Sequence, residues 1–215
     1  MTNAVFTRTF NPQTGMVLLL CLIFLTALTL LGLSATADTV LQNKLSANLQ
    51  ETERAKQSAL ATLSWAELWL LGLKDPAPET CTTSCKGLYL HSPGDLPPHP
   101  ESESFNWWMA RGHEAGINPV TGARMRTVTG SNSHPSVWII EAIHSIPPED
   151  NPTGHLRVWY RILARGSGHT EAAISVVEST VVRSWASVGL SVADDPEICT
   201  DSSEECGRIS WRELR

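Results

Sequence analysis

Seven histidines, five cysteines and a cluster of acids near the C-terminus are the side chains whose types invite a search for chemistry. A zinc hydrolase would place two histidines one helical turn apart around a glutamate, and a structural zinc site would bring cysteine and histidine together at short fixed spacings. His91, His99, His113, His134, His144, His155 and His169 follow neither pattern, and His113-Glu114 is a bare dipeptide. No GxSxG nucleophile turn and no phosphate-cradling GxxxxGK[ST] loop is present. Asp194, Asp195, Glu197, Asp201, Glu204 and Glu205 carry oxygens suited to calcium, but without EF-hand spacing, and they read as an exposed acidic loop. The expectation is a noncatalytic protein with no cofactor and no metal.

Two further groups have a definite chemistry. Arg157, Arg161 and Arg165 alternate with Leu156 and Val158 along one segment and share a face with Trp159. Cations flanking an aromatic could hold the backbone and bases of single-stranded DNA. A net charge of -6 and a pI near 5.6 argue against that affinity. The face is expected to be a solvated sheet surface or a subunit contact. Cys21 lies in an apolar run, which leaves Cys81, Cys85, Cys199 and Cys206 as two close pairs and points to disulfides in an oxidising compartment such as a periplasm. Four cysteines allow three pairings; the local ones, Cys81 with Cys85 and Cys199 with Cys206, are preferred.

The element that must position everything else is the stretch from Met16 to Ala37, which carries no charge. At about 1.5 Å per residue it reaches roughly 33 Å as a helix, enough for a hydrocarbon core of about 30 Å. The pattern continues past Asp38 without a proline until Pro76. Leu41, Leu45, Leu49, Ala55, Ala59, Leu63, Ala66 and Leu70 recur at threes and fours, with Gln42, Lys44, Gln50, Glu53, Arg54 and Gln57 largely between them. One helix is therefore expected to serve as anchor over 16–37 and as amphipathic scaffold over 38–73. Arg8 puts the short N-terminal side in the cytoplasm by charge bias, with the bulk of the chain outside. Two cuts suggest themselves: after Gly15, which keeps the anchor, or after the small residues Ser34-Ala35-Thr36-Ala37, which removes it.

From Lys74 to Ala123, Pro76, Pro78, Pro93, Pro97, Pro98, Pro100 and Pro119 exclude long helices and central strands, so residues 74–123 read as an extended connector. Phe105–Arg111 is the one stretch in it with a helical turn or two. Strands are expected at 124–128, 137–143, 156–165 and 172–182, with Gly166-Ser167-Gly168-His169 as the turn between the last two. At 215 residues and 42% hydrophobic, the chain suits one folded domain of class α+β beyond the anchor, residues 124–215 forming a β-sheet head closed by a C-terminal loop.

These residues carry a resemblance. Gly15 before the long apolar helix, Leu28-Thr29-Leu30-Leu31-Gly32-Leu33-Ser34-Ala35, Asn48-Leu49 with Ala55 and Ala59, and Tyr160-Arg161-Ile162-Leu163-Ala164-Arg165-Gly166 resemble type IV pilins, and among them the PilX-type minor pilins of pilus assembly. The likeness covers residues 15–63 well and 156–183 moderately. It implies a long helix packed on an antiparallel sheet of three to four strands, a leader over residues 1–15, and a prepilin peptidase that cuts after Gly15 and methylates the Met16 amine. Major pilins have phenylalanine first and a glutamate five residues past the cut; here the residues are Met16 and Leu20. That glutamate neutralises a neighbour's amino terminus in the filament, and among pilin-like proteins its absence is associated with subunits at or near the tip. The resemblance thus implies a minor pilin that primes assembly with other minor pilins, the major pilin and a tip adhesin, passing from inner membrane to pilus. A type II secretion pseudopilin and a membrane-anchored adhesin or binding module are the alternatives.

Overall fold

The structure is a computed structural model and describes residues 14–74, 77–81, 90–119, 121–124, 134–150, 155–170, 172–185 and 207–214. Two compact units, Met1–Asn48 and Leu49–Arg215, divide the chain.

In the first unit the described residues belong to helix α1, Thr14–Leu71, which continues into the second. Leucine and alanine are its commonest residues, and no proline interrupts its ladder. Every large apolar side chain from Met16 to Leu33 is exposed, and the helix is long and apolar enough to cross a membrane. Thr26, Thr29 and Thr36 each donate a hydroxyl hydrogen bond to a carbonyl three residues back, at 2.8 Å. Their polar groups are therefore satisfied inside the helix, as an apolar solvent requires.

The second unit packs the C-terminal part of α1 on a mixed sheet. Its strands among the described residues are β1 (Thr80–Cys81), β2 (Leu90–His91), β3 (His113–Glu114), β4 (Val137–Ile146), β5 (Leu156–Ser167), β6 (Ile174–Trp185) and β7 (Gly207–Leu214). Their order is β1-β2-β4-β5-β6-β7, with β3 also pairing β4. Strands β4 to β7 form an antiparallel meander, while β1–β2 and β2–β4 are parallel. The sheet is thus wider than the three to four strands expected and is not purely antiparallel. Proline density still has its effect, since β1, β2 and β3 are two residues each.

Ala55, Ala59, Leu63, Ala66 and Leu70 are wholly buried, whereas Leu41, Leu45 and Leu49, on the same sequence pattern, are exposed. The stripe is one motif in sequence and two environments in the fold. Strand β5 presents Val158, Tyr160, Ile162 and Ala164 to the helix, where Trp138, Val177, Val181 and Trp185 complete the core. Gly166, expected in a turn, lies inside β5. A Cβ there would fall 2.2 Å from the Ala59 nitrogen and 2.4 Å from the Ala55 oxygen, so the glycine lets strand and helix backbones approach. The hairpin instead closes beyond Ser167, where Gly168 N–H donates to the Ala173 carbonyl at 2.8 Å.

The other face of the sheet is also covered. Helix α2, Phe105–Arg111, is capped by Ser104 and buries Trp108 against Val137, Ile139, Leu163 and Val176. Part of the region expected to be an extended connector is therefore a second packed layer, anchored by one tryptophan. Of the strand expected at 124–128, Arg124 forms an isolated bridge with Ile117, and the remainder lies outside the described residues. Strand β7 follows the expected acidic loop at 194–206, in a segment for which no strand was expected.

Candidate functional site

Gly15 and Met16 sit in the first turns of α1, with Met16 and Leu20 both exposed. Residues 1–13 lie outside the described residues, as do Cys85, Cys199, Cys206 and the side chain of Cys81, so the disulfide pairings fall there too. Cys21 is a free thiol on the exposed apolar stretch.

The arginine face has a different character from the one expected. Alternation does bring Arg157, Trp159, Arg161 and Arg165 to one side of β5, and Arg157 stacks over Trp159 at 5.1 Å. Arg161, however, is mostly buried; its Nε donates to Glu178 Oε2 at 2.7 Å and its Nη1 lies 3.5 Å from Glu141 Oε2. Arg212 donates to Glu178 Oε1 at 3.1 Å, and Gly94 N–H donates to Glu141 Oε1 at 2.7 Å. Glu141 faces Arg161 across β4–β5, and Glu178 faces Arg212 across β6–β7. Acids and bases alternate over four strands, which neutralises the face locally. Arg165 is 4% exposed, beneath the ring of Phe105. A solvated sheet surface or a subunit contact was expected here; around Arg161 and Arg165, α2 and the carboxylates of the neighbouring strands cover it.

Sequence inspection passes over three polar contacts. The first joins α1 to β6 and β7: the buried Glu67 carboxylate accepts from Ser179 Oγ at 2.7 Å, from Arg208 Nε at 2.8 Å and from Arg208 Nη2. The Glu67 carboxylate raises the Arg208 pKa above its ordinary value. A charge between Ala66 and Leu70 on the apolar stripe is the signal that could have found it. The second is Arg183, which donates to the carbonyls of Leu70 and Leu73 and stacks on Trp185, capping the C-terminal end of α1. The third is His91, whose Nδ1 lies 2.7 Å from Asp95 Oδ2 and whose Nε2 lies 3.2 Å from the Arg111 carbonyl. A general base needs one nitrogen aimed at a substrate; both nitrogens of His91 are spent on the chain itself, tying β2 to the end of α2.

No family model, curated protein or solved structure matches this chain. Among the described residues no group of three or more histidine, cysteine, aspartate or glutamate side chains is placed to hold a metal. The described geometry offers an exposed apolar helix segment in one unit, and in the other a helix fixed to a sheet by small residues and ion pairs.

Proposed function

We propose that this chain is a minor pilin that primes type IV pilus assembly and sits at or near the filament tip with other minor pilins. The observation that carries the reading is α1 itself. A glycine precedes a proline-free apolar stretch with every large side chain exposed, and the same helix later buries Ala55, Ala59 and Leu63 against a sheet. Such a helix can be held by lipid first and by other helices later, because both surround it with apolar contacts while its backbone groups stay satisfied.

Leu20 supports a terminal position. An ordinary subunit docks with a carboxylate at that place against a neighbour's amino terminus, and a leucine has no acceptor to offer. The subunit then fits where no neighbour's amine has to be neutralised. Its passage is from the inner membrane, single-pass with the sheet domain in the periplasm, to the pilus. Peptide mass spectrometry of the mature protein tests the reading: the expected N-terminus is N-methylated Met16. A mature chain beginning at Met1, or cut near Ala37, overturns it and leaves a membrane-anchored binding module or a secreted protein in its place.

A further inference from the structure

Arg165 is a buried charge that meets no carboxylate among the described residues. Its side chain comes from β5 with Val137 of β4 and Val176 of β6 as its cross-strand neighbours, both wholly or almost wholly buried in the layer under α2. The Phe105 ring covers the guanidinium at 5.0 Å, and Nη1, out of reach of solvent, has no hydrogen-bond partner among the described residues. Burial draws the Arg165 pKa below its ordinary value, with no acid acting against it. Elsewhere on the same sheet the rule is different, for Arg161, Arg208 and Arg212 each meet a carboxylate.

A guanidinium keeps its proton under any ordinary condition, so it cannot escape burial by becoming neutral. An unpaired buried ion costs several kcal/mol, which an opposite charge offsets. The Phe105 ring offers the guanidinium no hydrogen-bond acceptor, so the buried Nη1 on the edge of the group, where N–H bonds point in the plane, stays without one. That edge is shaped for the oxygens of a planar carboxylate or a phosphate. A cation or an apolar molecule would gain nothing there.

We propose that Arg165 is the seat of a small oxyanion, a carboxylate or phosphate group admitted beneath Phe105 and bound in the plane of the guanidinium. Such a site is independent of whether the chain enters a filament. The test uses the purified full chain in nonionic detergent. Inorganic phosphate and sodium acetate are titrated in separate arms, each against sodium chloride at equal ionic strength, with Tm and, for phosphate, 31P line width as readouts. A saturable rise in Tm in either arm beyond chloride is expected, and the arm that responds names the chemistry. Arg165→Met should weaken that response roughly tenfold to a hundredfold, the loss of one charge-assisted hydrogen bond. If the methionine variant does not fold, Arg165→Lys, which keeps the charge without the planar edge, takes its place. Equal behaviour in phosphate, acetate and chloride, with no 31P broadening by the wild-type protein, overturns the proposal. So does undiminished affinity in whichever variant folds.

Discussion

Gly166 and Tyr160 show how single atoms decide the helix-to-sheet contact. A methyl group at Gly166 would meet backbone atoms of Ala55 and Ala59, which cannot swing aside as a flexible side chain does. Gly166→Ala is expected to cost about 1 to 3 kcal/mol, the range for overpacking a filled core, read as a lower urea midpoint by tryptophan fluorescence. Tyr160 is 1% exposed, its hydroxyl accepts from Trp185 Nε1 at 2.8 Å, and burial pushes its pKa from 10.0 up to about 12. Because the native state keeps this proton longer than the unfolded chain, the contribution is fully present below pH 10.0 and is lost as pH rises through about 12. A displacement of that size is worth on the order of 3 kcal/mol. Wild type should therefore lose stability more steeply than Tyr160→Phe between those pH values, and parallel curves would refute the assignment. Alternation in β5 made Tyr160 legible in the sequence as an inward residue. It could not reveal Gly166, because a glycine beside Ser167-Gly168 has the composition of a turn, and only the approach of a second backbone gives it another purpose.

Strand β7 is tied to its neighbours by ion pairs. Glu67–Arg208 ties β7 to α1 near one end, and Lys56–Glu213 at 3.1 Å ties it near the other. Between them Trp211 stays half exposed, so apolar burial contributes little to holding this edge strand. The two pairs differ in kind. Glu67 is buried and accepts from two residues, whereas Lys56 and Glu213 are partly solvated. Glu67→Ala should cost about 1 to 3 kcal/mol by leaving Ser179 and Arg208 without their acceptor, and hydrogen exchange should rise first in β7. Lys56→Ala should cost no more than about 1 kcal/mol. Equal effects would show that burial does not separate them. On the opposite face, Trp108→Ala empties the contact that fixes α2 and should cost about 3 to 5 kcal/mol. The apolar stripe of α1, the alternation along β5 and the valine- and isoleucine-rich runs of β4 and β6 made those elements readable, although the strands are buried on both faces over much of their length. Strand β7 escaped because Arg208, Trp211 and Arg212 remain exposed, and without a buried face it leaves no period-two hydrophobic signal. The paired arginines escaped for a related reason: alternation assigns a face, but α2 and the facing carboxylates, which decide what that face meets, come from distant sequence.

At the scale of the whole molecule, the pilin reading makes a demand on Leu20 that no fold argument makes. Leu20 is exposed on the apolar part of α1, a part long enough to meet lipid along its whole span. A carboxylate near the centre of a lipid-exposed helix costs about 2.5 to 3.5 kcal/mol on insertion, and less toward the interface. Within a filament, a neighbour's amino terminus can offset that cost by pairing. Leu20→Glu should therefore lower the yield of membrane-inserted protein when the chain is expressed without other pilins. In cells that assemble pili it should spread the protein from the filament end along the shaft, because the variant now carries the contact that ordinary subunits use to stack. Immunogold counts along sheared pili read this directly. Labelling that stays terminal in the variant would mean that something other than residue 20 fixes the position, and labelling along the shaft already in wild type would remove the tip assignment while leaving the helix as a membrane-to-filament element.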